Sequence, residues 1–208
     1  MPDLHQNIKI RSYHPSDLTS LYRICLKTAD SGSDASNIYK DPDLVGHFYA
    51  APYVLFEPEL TIIAALNENP YGYILGTKNS TQFYDKCEQE WFPTLRLKYP
   101  IPAEDDSTRD AKIIRLIHNG IIHKQELVEY PAHLHIDLLP EIQGKGLGRK
   151  MIELFINKLS ELDVKALHLE TGKSNTGAIK FYERLGFHII KEYEKSIAFG
   201  MKLMQTNI

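Results

Sequence analysis

A glycine-rich segment between Leu138 and Arg149 has the composition of an anion-binding loop. Its residues are Leu-Leu-Pro-Glu-Ile-Gln-Gly-Lys-Gly-Leu-Gly-Arg. Glycines let successive backbone N–H groups approach phosphate oxygens closely, and a helix that begins directly after the loop points the positive end of its dipole at the same place. Lys145 and Arg149 add positive charge. The segment therefore predicts a phosphate or pyrophosphate site, and a plain strand-to-helix turn is the alternative.

Two better-known phosphate-binding patterns are excluded by single positions. The dinucleotide pattern GxGxxG would need a glycine where Arg149 stands. The P-loop suggested by Gly172-Lys173-Ser174 would need a glycine in place of Leu167. We therefore expect neither of these two loop types.

Candidate proton-transfer groups lie just before the loop and on the next predicted strand. His133, His135 and Asp137 alternate along a predicted strand, so their side chains share one face of it. Asp137 or His135 could act as a general base, and His has the more suitable intrinsic pKa. Glu170, at the end of the next predicted strand, is a third candidate base. The alternative for each is a hydrogen-bonded polar residue on a half-covered sheet.

A second motif follows the loop, from Asn175 to Phe187, and reads NTGAIKFYERLGF. Together the two segments resemble the GNAT superfamily of N-acetyltransferases, which has a (Q/R)xxGx(G/A) acyl-CoA loop followed by an NxxAxxFYxxxGF helix. The matching positions are Gln143, Gly146, Gly148, Asn175, Ala178, Phe181, Tyr182, Gly186 and Phe187.

The resemblance implies an acetyl-CoA-dependent N-acetyltransferase that acts by direct attack of an amine. Tyr182 would protonate the departing thiolate, and a backbone N–H near Leu138 would stabilise the oxyanion. A core aromatic is the alternative for Tyr182, because Ala178, Phe181 and Leu185 share its helical spacing. The implied cofactor-binding residues are Leu138, Leu139, Gln143, Gly144, Lys145, Gly146, Leu147, Gly148, Arg149, Asn175, Ala178 and Phe181.

A narrower resemblance lies in the N-terminal part of the chain. Asp30-Ser31-Gly32-Ser33-Asp34-Ala35, Tyr39 to Leu44 and Pro52-Tyr53 are similar to the acetyltransferase-like domain of O-GlcNAcases and its free-standing microbial relatives. In the animal version acyltransferase activity is in doubt, so a non-catalytic acyl-CoA-binding or protein-interaction module is the second hypothesis. The intact loop favours an active cofactor site. In the family this segment covers the acceptor cleft, which makes Asp30 and Asp34 candidate acceptor contacts, with a solvated acidic loop as the alternative.

Hydrophobic spacing predicts the elements that carry these residues. The predicted strands cover residues 8–11, 60–66, 71–77, 132–139, 166–170, 187–193 and 196–204. A first helix follows a cap at Ser16-Asp17 and ends before Asp30. A short helix at 41–48 interrupts a loop at 30–53, and further helices cover 83–97, 108–118, 146–162 and 176–185.

The order of these elements predicts a mixed sheet. Strand and helix alternate in the second half, which predicts a parallel pair with a crossover helix, and hairpins at both ends predict antiparallel neighbours. The resemblance refines this to a GNAT-like α/β (α+β) fold, with a mostly antiparallel sheet, splayed parallel central strands and flanking helices. We expect residues 1–208 to form a single domain, with 80–130 as a helical insertion.

Composition limits the classes of partner. The 208 residues are 43% hydrophobic and 25% charged with a formal charge of -3, so no direct nucleic-acid partner is expected. Cys25 and Cys87 form no CxxC pair, and His133 and His135 have no third ligand at a diagnostic spacing, so no metal is expected. No signal peptide or membrane span is recognisable. We expect a cytoplasmic protein, for which a homodimer is one possible state. The resemblance implies that its acceptor is an amine-bearing small molecule, a peptide or a protein lysine.

Overall fold

One seven-stranded sheet organises the computed structural model, which describes residues 7–203. The strand order is β1-β2-β3-β4-β5-β7-β6, and every neighbouring pair is antiparallel except β4 and β5. The strands are β1 (Ile8–Ser12), β2 (Ile62–Leu66), β3 (Asn69–Thr77), β4 (Ala132–Leu138), β5 (Ala166–Gly172), β6 (His188–Glu192) and β7 (Ser196–Lys202). The mixed, mostly antiparallel sheet predicted above is confirmed.

Eight α-helices lie within residues 7–203 and flank this sheet. They are α1 (Leu18–Thr28), α2 (Leu44–Tyr49), α3 (Ala51–Phe56), α4 (Ser80–Lys86), α5 (Phe92–Lys98), α6 (Arg109–Asn119), α7 (Leu147–Glu161) and α8 (Thr176–Arg184). A π-helical turn, Cys87–Trp91, joins α4 to α5, so the long helix predicted at 83–97 is three shorter pieces. Helix α7 is the crossover between the parallel strands.

The two parallel strands separate soon after they meet. Their pairing is limited to Ala132 with Leu167 and His133 with His168, although β4 runs on to Leu138 and β5 to Gly172. The rest of the two strands therefore has no partner across the gap, and the sheet opens there into a cleft. The predicted splay of the central strands is confirmed.

Each face of the sheet covers its own hydrophobic core. One core joins β2 and β3 to α1–α6 and contains Tyr73 and Leu75. The other core joins the sheet to α7 and α8 and contains Phe155 and Phe199. Asp137 lies opposite Tyr73 in the β3–β4 register, so it faces the first core together with His133 and His135.

Two local predictions differ from the structure. The loop predicted at 30–53 ends inside α3, which has Pro52 in its first turn and buries Tyr53 and Val54. Asp17 precedes α1, but its side chain makes no cap; it pairs with Arg11 and accepts a hydrogen bond from the N–H of His14. The predicted last strand extends to 204, and that final residue lies outside the described range.

Candidate active site

The glycine-rich loop ends in a helix whose first N–H groups carry no side-chain cap. Gly144 and Gly146 have φ of 72° and 74°, in the left-handed region that glycine adopts without strain. Gly146 is the N-cap of α7, and a Cβ atom built on it would meet nothing within 4 Å. The first turn of a helix leaves its N–H groups without intrahelical partners. These donors therefore face open space at the positive end of the helix dipole.

A cleft of about 630 Å³ lies between this loop, the end of β4 and helix α8. It is here called the β4–β5 cleft because it begins at the edge of β4 that has separated from β5, although none of the described residues of β5 lines it. Most of the residues predicted to bind a cofactor line it: Leu138, Gln143, Gly144, Gly146, Leu147, Gly148, Arg149, Asn175, Ala178 and Phe181. Leu139 and Lys145 do not. Leu139 is buried and its N–H donates to the carbonyl of Tyr71, while the Lys145 ammonium donates to the carbonyl of Glu141.

The open edge of β4 presents main-chain polar groups to the cleft. The N–H of Leu139 donates to Tyr71 on β3 at 2.8 Å. Because alternate residues of an antiparallel pair point their polar groups to opposite sides, those of Leu138 point away from β3, toward the gap. The Gln143 amide reaches this side and donates to the Leu138 carbonyl at 2.7 Å. The N–H of Leu138 therefore faces the cleft.

Helix α8 is packed tightly against the loop. A Cβ atom at Gly148 would come within 3.1 Å of the Phe181 ring, so glycine lets α7 approach α8 closely. Asn175 is the N-cap of α8, and its side-chain oxygen accepts the N–H of Ala178 at 3.0 Å. Asn175, which was predicted to contact the cofactor, therefore also stabilises the start of α8.

Tyr182 combines a buried ring with an unpaired hydroxyl. Its ring centroid lies 5.4, 5.7 and 5.9 Å from those of Phe181, Phe187 and Phe199. Within residues 7–203 the hydroxyl has no hydrogen-bond partner, and it is not sealed from solvent because it is accessible from the cleft. Burial, and then the negative charge of Asp137, raise the pKa of Tyr182. The phenol therefore keeps its proton at neutral pH.

Asp137 shares the cleft with Tyr182 and is itself held in place. The Tyr73 hydroxyl donates to its Oδ2 at 2.7 Å. Burial raises the pKa of Asp137, and hydrogen bonds from Tyr73 and Thr28 oppose that rise. A carboxylate with a raised pKa accepts protons more readily than an exposed one. Asp137 therefore has both the position and the direction of pKa shift that a base needs.

His135 lies on the same face and is held by Tyr53. The Tyr53 hydroxyl lies 3.0 Å from Nε2 of His135 and 2.7 Å from Nε2 of His133. Burial and then the neighbouring His168 lower the pKa of His135 to about 4, so its imidazole is neutral and a weak base at pH 7. His135 does not line the β4–β5 cleft.

Glu170 is separated from the cleft and engaged by two partners. Its oxygens accept hydrogen bonds from the Lys124 ammonium at 2.5 Å and the Ser196 hydroxyl at 2.7 Å. It lines a different pocket of about 570 Å³, here called the histidine cavity, together with His133, His135 and His168. No group of three or more His, Cys, Asp or Glu side chains within residues 7–203 is arranged to hold a metal ion.

Asp30 and Asp34 line none of these pockets. The Asp30 carboxylate lies 3.6 Å from the Arg109 guanidinium. Hydrogen bonds from Ser36, with one from Lys27, lower the pKa of Asp34 to about 2. The structure therefore places both carboxylates in local contacts of their own loop and of α6.

Several residues that line the cleft were not among the predicted site residues. They are Thr28, Gly32, Ile136, Ile142, Gly177, Arg184 and Leu185. Thr28 ends α1, far from the loop in sequence, and only the tertiary fold brings it there. Arg184, a cation at the end of α8, lies within the second motif and could have been found from its position there.

A third pocket connects the first two. It measures about 340 Å³ and is here called the α6 cavity. Asp137 and Thr28 line both this cavity and the β4–β5 cleft, and His135 and Tyr49 line both this cavity and the histidine cavity. Asp137 thus stands where the β4–β5 cleft and the α6 cavity meet.

Most of the chain is similar to known proteins. Residues 20–187 match the family model described as acetyltransferase (GNAT) family. The chain is 25% identical over 186 residues to protein O-GlcNAcase of Rattus norvegicus. The match covers 88% of this chain and 20% of that protein. The chain therefore spans about a fifth of the length of this relative.

Two solved structures share the fold. The crystal structure of SsHAT is 36% identical, with a TM-score of 0.89, and the match covers 95% of this chain and 99% of that one. PaiA N-acetyltransferase from Thermoplasma acidophilum, solved in complex with coenzyme A, is 15% identical with a TM-score of 0.58, and the match covers 94% and 99% of the two chains. No helix among residues 7–203 is both long and apolar enough to cross a membrane.

Proposed function

Because the chain belongs to the acetyltransferase (GNAT) family, we propose that it binds acetyl-CoA in the β4–β5 cleft and transfers the acetyl group to an amine. One observation carries the proposal: an unpaired phenol, Tyr182, and a carboxylate of raised pKa, Asp137, line the same cleft as the uncapped glycine loop. The coenzyme A complex of the Thermoplasma acidophilum relative supports the choice of cofactor.

The loop suits the pyrophosphate of the cofactor. Gly144 and Gly146 leave open space in front of the first N–H groups of α7, where an anion is favoured by both the donors and the dipole. Arg149 lines the cleft and adds a positive charge. The main-chain groups of Leu138 at the open edge of β4 suit the amide-bearing pantetheine arm.

Acetyl-CoA supplies a thioester whose carbonyl carbon an amine can attack. Asp137 takes the proton of the incoming ammonium group, since it lines both the cleft and the cavity next to it. His135 and Glu170 are the weaker choices: burial lowers the pKa of His135 to about 4, and both oxygens of Glu170 are occupied.

Two further groups complete the transfer. The N–H of Leu138 donates to the carbonyl oxygen as that oxygen gains negative charge. Tyr182 gives its proton to the departing sulfur, because its hydroxyl is protonated and has no competing partner within residues 7–203. The second proton, which the nitrogen loses as the amide forms, restores the Tyr182 hydroxyl. The acceptor in this proposal is a small amine, a peptide or a protein lysine.

Release of free CoA from acetyl-CoA, followed with a panel of amines, tests the proposal. We expect amine-dependent release by the wild type and a loss of about 100- to 10,000-fold in Asp137→Asn, as for removal of a general base. Glu170→Gln is the matched control, because it also neutralises a carboxylate on the same sheet face, and it keeps the wild-type rate. Acetyl-CoA binding without CoA release for any amine would contradict the proposal and favour a non-catalytic acyl-CoA-binding module.

A further inference from the structure

The α6 cavity meets the β4–β5 cleft at Asp137 and is lined by charges of opposite sign. Asp137 is at the end that meets the β4–β5 cleft. Arg109 and Lys112, three residues apart on one face of α6, line the cavity from the side of that helix. Both are exposed, so this end is open to solvent. The cavity therefore has two cations at its mouth and a carboxylate inside.

The two cations have little to neutralise them. Within the described range 7–203, Lys112 forms no ion pair, and the only ion pair of Arg109 is the 3.6 Å contact with Asp30. That separation exceeds the usual length of a charged hydrogen bond, so the contact is weak and exposed. Asp137 is the only carboxylate among the described residues that line the cavity. A ligand anion at the mouth would therefore meet two available donors.

We propose that the α6 cavity binds the acceptor, and that the acceptor is a small amine that also carries a carboxylate or phosphate group. The inference rests on the proposed function, because it assigns the amine end of the ligand to Asp137. The anionic end binds Arg109 and Lys112. Ile113 and Leu116 of α6 supply apolar wall between the two ends, which suits an aliphatic spacer.

Size and charge disfavour other acceptors. A volume of about 340 Å³ is at the lower end of the range for small-molecule pockets. A diamine or polyamine would bring a second positive charge to the two cations of α6, which is repulsive. A neutral alkylamine would leave both cations unpaired. Because α6 belongs to the segment 80–130, that helical segment determines the choice of acceptor.

Matched acceptors test the inference. We would measure kcat/KM for acetylation of 4-aminobutyrate and 6-aminohexanoate, each against the alkylamine and the diamine of the same chain length, and for 6-aminohexyl phosphate. We expect an anionic acceptor to exceed the matching alkylamine by about tenfold or more, as for a hydrogen bond to a charged group, and the diamine to be the poorest. The phosphate arm shows whether carboxylate or phosphate is preferred. Equal or better rates with the alkylamine or diamine would overturn the inference.

Charge variants localise the effect. Lys112→Glu is expected to lower kcat/KM for 6-aminohexanoate by about tenfold and to raise kcat/KM for the diamine, so that the order of these two acceptors changes. Lys40→Glu makes the same charge change on an exposed lysine that does not line the cavity, and it keeps the wild-type order of acceptors. If the two variants change the order equally, long-range charge explains the preference and the cavity assignment is wrong.

A binding measurement separates the two possible failures. 6-aminohexanoate is titrated calorimetrically into the wild type and Lys112→Glu, both saturated with CoA. Binding that Lys112→Glu weakens supports the cavity assignment even if no amine is acetylated, a result in which only the proposed function fails. Absence of binding, or binding that the variant leaves unchanged, overturns the inference whether or not acetylation of other amines is observed.

Discussion

Replacing Tyr182 by phenylalanine removes one oxygen atom at the point where we assign the proton donor. The aromatic ring, packed against Phe181, Phe187 and Phe199, stays in place. Because the hydroxyl has no hydrogen-bond partner within residues 7–203, the change breaks no internal hydrogen bond. We therefore expect the free energy of unfolding to change by less than about 0.5 kcal/mol, whereas Tyr182→Ala would cost about 3–5 kcal/mol through the lost ring.

The effect on catalysis should be much larger. Without the phenol, sulfur leaves as a thiolate, and a thiol of pKa near 8.5 is a tolerable leaving group. The maximal rate of Tyr182→Phe should therefore fall about 10- to 1,000-fold, which corresponds to roughly 1.4–4 kcal/mol of transition-state stabilisation. The Kd for acetyl-CoA should be unchanged, because the hydroxyl acts on the departing sulfur rather than on the bound cofactor.

The assay compares three quantities in the same preparation: the melting temperature, the Kd for acetyl-CoA and the single-turnover rate of CoA release. Tyr193→Phe is the matched control, since it also removes a tyrosine hydroxyl but at a residue that does not line the β4–β5 cleft. We expect the control to keep the wild-type rate. A wild-type single-turnover rate in Tyr182→Phe would refute the proton-donor role and leave Tyr182 as a packing residue.

Three further outcomes are expected. In Gly146→Glu, a carboxylate side chain fills the open space beside the first N–H groups of α7. Wild-type protein should gain about 2.7 kcal/mol of stability from acetyl-CoA at 100 times Kd, and the corresponding thermal shift should largely disappear in the variant. An unchanged thermal shift would contradict the assignment of the loop. The pKa of Asp137 is raised in the folded protein, so its ionised form lowers stability at pH 7. Asp137→Asn should therefore melt no lower than the wild type at pH 7 while losing turnover. A clearly lower melting temperature would contradict this. Because burial lowers the pKa of His135 to about 4, protonation of His135 alone should remove about 3 kcal/mol of stability as pH falls from 6.5 to 4, and the buried His133 and His168, whose pKa values are also lowered, should add to that fall. Denaturant unfolding of His135→Gln should therefore show a flatter pH dependence in that window, and an unchanged dependence would contradict this.

The second half of the fold could be predicted because its signals are local. The strand and helix periods around the two glycine-containing motifs agree with the observed β4, α7, β5 and α8 to within a few residues. Helix α3 was missed because it is only six residues long and carries Pro52 as its second residue. Its stability comes from burial of Tyr53 and Val54, which depends on tertiary packing and leaves no regular spacing in so short a segment.

The chemistry of the candidate bases depends on burial, which the sequence does not contain. Histidine is the better base by intrinsic pKa, and on that ground His135 was a leading candidate. In the folded protein burial shifts the two pKa values in opposite directions, because it disfavours the charged form of each group: it lowers the pKa of His135 and raises that of Asp137. The α6 cavity could not be predicted from the sequence either, because its residues Thr28, Arg109 and Asp137 come from distant parts of the chain.

A crystal structure of the protein with bound acetyl-CoA tests the central claim most directly, which is that the β4–β5 cleft holds the cofactor with its thioester between Asp137 and Tyr182. The account predicts the pyrophosphate on the N–H groups that follow Gly146, the thioester carbonyl oxygen within hydrogen-bond distance of the Leu138 N–H, and the sulfur beside the Tyr182 hydroxyl. Acetyl-CoA bound elsewhere, or an empty cleft in crystals grown at saturating acetyl-CoA, would contradict it.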